Sequence, residues 1–267
     1  MSYKNIYILG VGGSGMSSIA KYLKQKGDNV IGYDQRKSYV TNLLNQDGIK
    51  VVHTLDEITY KPHSLYIYSS AIPIESDRFE DFYDKENVLS RPEYLKNLSE
   101  NHKIIGITGT HGKTSTTALL SHIFHFNNVN VSYLYGGITT FNGIGGHYGD
   151  PDHPLILETD EAFNTFEKIK ISDLLVLNVD SDHLDYFKNL DNYKDAFYKV
   201  MKNVTDNLVV NNDDLNIKSM KELKNLVSYG TDISANFKVQ SSGIFIYENN
   251  KYEIKTDIIG DHFKSNM

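Results

Sequence analysis

The stretch from Lys103 to Thr117, KIIGITGTHGKTSTT, constrains the fold of this chain more than any other. Lys103-Ile104-Ile105-Gly106-Ile107 is a short apolar run of the kind that forms a buried strand. Gly109-Thr110-His111-Gly112 is a small-residue turn, and Lys113 to Phe126 carries Ala118, Leu119, Ile123 and Phe126 at roughly helical spacing. Strand, glycine turn, Lys-Thr and helix together make a phosphate cradle. Glycines let backbone N–H groups approach a polyphosphate, and the helix N-terminus adds a partial positive charge. The lysine reaches the β/γ-phosphates, and the hydroxyl after it can ligate Mg²⁺. The pattern departs from G-x-x-x-x-G-K-[ST], because Ile107 stands where the upstream glycine is usual and that glycine falls at Gly109.

A second glycine turn opens the chain. Ile6-Tyr7-Ile8-Leu9 reads as a strand, followed by Gly10-Val11-Gly12-Gly13-Ser14-Gly15 and a helix from Met16 to Lys26 with Ile19, Ala20 and Leu23 on one face. A strand at 29–33 then ends at Asp34. This is the dinucleotide-type fingerprint, with its acidic residue about 20 positions on. The same turn serves any diphosphate at a helix N-terminus, so spacing alone leaves NAD and a UDP-sugar both open. A short helix at 40–47 and strands at 49–52 and 65–68 follow, the last running into Ser69-Ser70-Ala71-Ile72. Ligands of open parallel sheets bind beyond the carboxyl ends of the strands, which puts Ser69 and Ser70 beside the glycine turn.

A short helix at 92–98 precedes the boundary near residues 99–102. The six glycines between Gly136 and Gly149 read as a loop able to approach a ligand or to stay mobile. Apolar strands at 154–157 and 174–177 end in two acidic clusters, Glu158 to Glu161 and Asn178 to Asp185. With 104–107, three carboxyl ends of one parallel sheet would open on the same edge. Hard cations want oxygen ligands, which makes Thr114 and Glu158 a plausible pair for one ion. Further on come a helix through 195–201, a strand at 207–210 and strands at 237–240, 243–247 and 252–255, with a turn at 248–251.

Composition narrows the function. A net charge of −7 argues against nucleic-acid binding as the main task. No apolar run approaches the ~20 residues that span a bilayer, and the N-terminus lacks signal-peptide architecture. With no cysteine, thiolate zinc sites, disulfides and a cysteine nucleophile are excluded. A cytoplasmic α/β protein is expected, with no membrane partner.

The segments G-V-G-G-S-G-M-S-S-I-A (10–20), G-Y-D (32–34), S-S-A-I (69–72) and G-T-H-G-K-T-S (109–115) resemble the Mur ligases, which join amino acids to a UDP-sugar in peptidoglycan synthesis. The resemblance is to their alanine-adding branch. It implies a Rossmann-like parallel-sheet UDP-binding domain (1–99), a P-loop-type α/β ATPase domain with a small antiparallel flap (100–259), and the start of a hinge (260–267). It implies UDP-sugar contacts from Gly10, Gly12, Gly13, Ser14, Gly15, Met16, Asp34, Ser69 and Ser70. ATP contacts are implied for Gly109, Thr110, His111, Gly112, Lys113, Thr114, Ser115 and Asn178. Thr114, Glu158 and His183 are the implied ligands of Mg²⁺, for which Mn²⁺ can substitute. Lys113 and His183 are the implied catalytic pair, His183 because N-x-x-x-D-H-x-D (178–185) matches the family's segment. The implied substrates besides ATP are UDP-N-acetylmuramate and L-alanine, for a monomer or weak homodimer.

Two departures stand out. The branch's E-A-D-E-S-D-x-S-F reads Glu158-Thr159-Asp160-Glu161-Ala162-Phe163-Asn164-Thr165-Phe166 here, so Ala162-Phe163 replaces Ser-Asp. Phe197 occupies the position of the carbamylated lysine some Mur ligases use, so no such modification is expected. The G-x-H-N-x-x-N hinge has Phe263 for asparagine, and the third domain that takes the amino acid is not represented, so residues 1–267 are expected to bind nucleotides yet ligate poorly. Rival readings are a ligase that attaches a preformed peptide to the same sugar, a nicotinamide oxidoreductase using Gly10 to Asp34, and a non-catalytic nucleotide-binding module.

Overall fold

The computed structural model describes residues 3–161, 165–180, 187–220, 223–240, 244–248 and 250–253. The chain divides into two compact units, one of residues 1–102 with 121–156 and one of residues 103–120 with 157–267. His183, Ala162-Phe163 and the hinge at 260–267 lie outside the described residues.

In the first unit β1 (Asn5–Leu9), α1 (Ser14–Gln25), β2 (Val30–Tyr33), α2 (Tyr39–Gln46), β3 (Lys50–Val52), β4 (Ser64–Tyr68), β5 (Val88–Ser90) and α3 (Arg91–Ser99) follow one another. The five strands form an all-parallel sheet in the order β3-β2-β1-β4-β5. Apolar runs such as Ile6 to Leu9 suit strands covered on both faces. Register pairs Tyr7 with Tyr66, and their rings stack 4.9 Å apart over a core that includes Phe79 and Phe82. The sequence reading lacked β5.

One difference from a single cut near residue 99 has a clear physical cause. The expected glycine loop at 136–149 is an antiparallel hairpin, formed by β7 (Ser132–Thr139) and β8 (Gly143–His147), and it packs on α1. The glycines permit contact rather than motion. A Cβ on Gly146 would lie 2.0 Å from the backbone oxygen of Ser18, and one on Gly145 2.3 Å from the Tyr135 ring. Lys21, buried in α1, donates to the carbonyls of Asn142 and Ile144 and fastens the hairpin. Burial lowers the pKa of that ammonium.

The second unit begins with β6 (Ile104–Thr108) and the first half of α4 (Lys113–Phe126). It continues from the carboxyl end of β9 (Leu155–Glu158) through α5 (Thr165–Lys168), β10 (Asp173–Val176), α6 (Leu190–Lys202), β11 (Leu208–Asn211), α7 (Leu215–Lys218) and β12 (Leu226–Gly230) to β13 (Phe237–Gln240), β14 (Ile244–Tyr247) and β15 (Asn250–Glu253). Its strands run β15-β14-β13-β12-β11-β10-β6, parallel from β6 to β13 and antiparallel from β13 to β15. The last three strands form the expected flap. Its turn is tighter than the expected 248–251: Tyr247 pairs with Asn250, and Glu248 takes φ +48°, the left-handed geometry that two-residue hairpins require. The buried ring of Phe197 packs between Phe166 and Tyr193.

Candidate functional site

In the second unit the turn after β6 is shaped by Gly109 at φ +143° and Gly112 at φ +85°. A Cβ at Gly109 would meet Leu177 and the Asn178 backbone at 3.0–3.1 Å. The end of β10 clamps this turn. Asn178 accepts from the N–H groups of Thr110 (3.1 Å, carbonyl) and His111 (2.8 Å, side chain) and donates to the His111 carbonyl (3.0 Å). The Thr110 hydroxyl accepts from the Asp180 N–H at 2.8 Å and lies 3.1 Å from the Asp180 carbonyl. Asn178, expected beside a nucleotide, is thus a brace for the loop. Thr110 is buried, while His111 and Ser115 are exposed at the mouth.

α4 starts at Lys113, so its first turn of backbone N–H groups faces this loop, as an anion site requires. The Lys113 ammonium donates to the carbonyls of Gly109 (2.7 Å) and Thr110 (3.2 Å) and to Glu161 Oε1 (3.1 Å), and forms an ion pair with Glu161 Oε2 at 3.0 Å. The Thr114 hydroxyl donates to Glu158 Oε1 at 2.7 Å. Thr159 fixes that glutamate, because its N–H and hydroxyl both donate to the Ile107 carbonyl (2.9 and 3.1 Å) and draw the end of β9 to the end of β6. A hydroxyl and a carboxylate oxygen in contact fit two corners of an Mg²⁺ octahedron, with waters or phosphate oxygens filling the rest. Among the described residues no three His, Cys, Asp or Glu side chains cluster as a metal site, and His183 lies outside them.

In the first unit the glycine turn is largely satisfied from within. Gly10, at φ +79°, and Val11 both donate to the Tyr33 carbonyl (2.7 and 3.0 Å). Asp34 holds the turn by its carboxylate: Oδ2 accepts from Gly12 N–H at 2.8 Å and Oδ1 from Arg36 N–H at 3.0 Å. A short acidic side chain at the end of β2 is well placed to cap the turn beside it, and it takes the first donor there. Met16 is 2% exposed, so its side chain belongs to the core and only its backbone faces the turn. Gly13 and Ser14 are exposed at the start of α1. Ser69 lies against Gly10, 3.0 Å from where a Cβ would stand, and Ser70 is exposed beside it.

Sequence reasoning missed three residues. Arg91, the first residue of α3, lays its guanidinium against Gly15, within 2.8 Å of where a Cβ would be, and its buried Nε has no hydrogen-bond partner among the described residues. Only the capping pattern of Ser90 and Glu93 marked that position. Glu161 and Tyr193 join Lys113 and Thr110 in one hydrogen-bonded chain: Tyr193 donates to Glu161 at 3.2 Å and stands 3.0 Å from the Thr110 hydroxyl. Nothing in the spacing of residues 161 and 193 foretells that meeting.

Comparison with known proteins gives consistent matches. Residues 5–103 match the model described as Mur ligase family, catalytic domain, and residues 107–267 that described as Mur ligase middle domain. The chain is 31% identical to the UDP-N-acetylmuramate–L-alanine ligase of Cytophaga hutchinsonii over 89% of its own length and 53% of the relative's. Against the ligase of that name from Clostridium botulinum (strain Loch Maree) the figures are 33%, 97% and 60%. The chain therefore spans little more than half the length of the curated relatives it matches. Among solved structures, the UDP-N-acetylmuramate–alanine ligase of Thermotoga maritima superposes with a TM-score of 0.82 at 23% identity, over 98% of this chain and 62% of that one. The UDP-N-acetylmuramate:L-alanyl-gamma-D-glutamyl-meso-diaminopimelate ligase of Neisseria meningitides gives 0.82 at 22% identity, over 99% and 91%. At these identities the structures establish the fold alone.

Proposed function

The chain belongs to the Mur ligase family, and on that premise we propose that it forms the UDP-sugar and ATP domains (1–99 and 100–259) of a cytoplasmic ligase joining L-alanine to UDP-N-acetylmuramate. The observation that carries the reading is the juxtaposition of Lys113 with the Thr114–Glu158 pair at the start of α4. The names of the relatives favour alanine over a preformed peptide, since the fold likeness alone does not separate the two.

In the proposed reaction a lactyl carboxylate oxygen attacks the γ-phosphorus of ATP and ADP leaves. The amine of L-alanine then attacks the acyl phosphate; phosphate departs, the nitrogen loses a proton, and an amide results. The protein's task is to hold the polyphosphate and neutralise charge as the phosphoryl group transfers. Lys113 and the first turn of α4 supply that positive potential, with Gly109 to Gly112 and Ser115 around the phosphates. Thr114 and Glu158 would hold Mg²⁺, with His183 as a further ligand, and the ion would neutralise phosphate charge. Asn178 acts by bracing the loop. At the other site the exposed turn of Gly13 and Ser14, the start of α1 and the Arg91 guanidinium supply donors and charge for a diphosphate. Ser69 and Ser70 lie on the sugar side. Asp34, with both oxygens on backbone N–H groups, supports the turn.

Calorimetric titration of the chain with ATP and Mg²⁺, followed by UDP-N-acetylmuramate, tests the proposal. Both should bind, each with a stoichiometry of about one. Absence of ATP binding would remove it.

A further inference from the structure

An ammonium has three N–H donors and no acceptor, and in Lys113 all three are engaged. Two go to Gly109 and Thr110, carbonyls of the cradle loop itself. The third goes to Glu161, which stands three residues beyond the metal-type glutamate and off the loop. Glu161 is 0% exposed and the Lys113 side chain 14%. A carboxylate taken this far out of water needs a counter-ion, and the Lys113 ammonium meets it at 3.0–3.1 Å. A lysine so occupied cannot reach a phosphate without releasing an acceptor. Releasing the loop carbonyls would loosen the cradle, whereas releasing Glu161 would not.

We propose that Glu161 is the resting counter-ion of Lys113, a stand-in that the polyphosphate of the incoming nucleotide displaces. This rests on the ATP-binding reading above. Tyr193 completes the device. Its hydroxyl donates to Glu161 Oε1 at 3.2 Å, a hydrogen bond the carboxylate keeps when the ammonium turns away. Because the Thr110 hydroxyl lies 3.0 Å from that phenol and bonds Asp180, the same chain links the cradle loop to the end of β10. Nucleotide affinity is then set by competition between a buried carboxylate and a phosphate for one ammonium.

The two partners should act in opposite directions. Glu161→Gln leaves a weaker, neutral competitor, so the Kd for ATP should fall by about tenfold, the scale of one charge-assisted hydrogen bond. Tyr193→Phe removes a hydrogen bond that steadies the displaced carboxylate, so the Kd for ATP should rise several-fold. Adenosine, which carries no phosphate, should bind wild type and both variants alike. Calorimetry of the 267-residue chain with ATP and with adenosine reads all of these, with circular dichroism melts to show that the variants fold. ATP binding to Glu161→Gln that equals or falls below wild type overturns the stand-in role. Should that variant not fold, Tyr193→Phe decides: weaker ATP with unchanged adenosine supports the role, and unchanged or tighter ATP overturns it. A wild-type chain that binds no ATP removes this inference together with the function proposed above; a wild-type chain that binds it isolates any failure to Glu161.

Discussion

Gly146→Ala should be among the most destabilising single-methyl additions in the first unit. The new Cβ would stand 2.0 Å from the Ser18 carbonyl oxygen, 2.8 Å from its carbon and 3.0 Å from its Cα. These are backbone atoms inside α1, and Ser18 is itself 2% exposed with its hydroxyl bonded to Gly15. No side chain can swing aside, so hairpin and helix must separate by about an ångström or more. Overpacking costs about 1–3 kcal/mol when rotamers can yield, and a backbone clash belongs at or above the upper end, about 3 kcal/mol. For a unit of this size that corresponds to a Tm lower by about 10 °C. Gly27→Ala is the internal control: nothing lies within 4 Å of its Cβ and only its φ of +100° opposes the change, at about 1 kcal/mol. Urea and thermal melts followed by circular dichroism give both values. A Gly146→Ala chain within about 0.5 kcal/mol of wild type would refute the close packing of β7–β8 on α1.

Three further outcomes follow from the same geometry. In a complete ligase containing this chain, Lys113→Ala should remove on the order of 3 kcal/mol or more of transition-state stabilisation, at least about a hundredfold in kcat. A variant with near-normal turnover in a phosphate-release assay would contradict that role. Thr114→Val should abolish the Mg²⁺-dependent part of ATP binding and leave metal-free binding in place, as read by titration with and without EDTA; retained Mg²⁺ dependence would exclude the Thr114–Glu158 pair as ligands. Alkaline stability follows from the buried phenols. Burial pushes Tyr66 up to about 12, and it raises Tyr22, Tyr94, Tyr133 and Tyr229 further. Folding favours their neutral forms, so this contribution is complete below the unfolded value near 10 and is lost as pH rises toward 12 and above. Urea midpoints should decline above pH 10 with phenolate absorbance appearing alongside unfolding, whereas full early titration of all tyrosines in a folded chain would contradict the burial.

Both βα turns were legible in the sequence because their signals are local. A short apolar run, glycines and a helical period suffice to place Gly10 to Ser14 and Gly109 to Lys113. The Thr114–Glu158 contact was also legible, since strand ends of a parallel sheet gather on one edge. The glycines of 136–149 were misread because a glycine that allows motion and one that allows a backbone to touch a helix look alike in sequence. Only the distance from Gly146 to Ser18 separates them. Asp34 stood in the right place, and its side chain accepts from the backbone donors beside it. Glu161 and Tyr193 left no trace, and Arg91 only the capping pattern around it, because each acts through a partner distant along the chain, and no spacing rule records such a meeting.

Calorimetric titration of the chain with UDP-N-acetylmuramate, with NADH in parallel, bears most directly on the claim that the first glycine turn serves a UDP-sugar. Heat with the UDP-sugar and none with NADH is the expected result. Binding of NADH alone would mean that Gly10 to Gly15 keeps a dinucleotide role, and the ligase reading of this chain would fall with it.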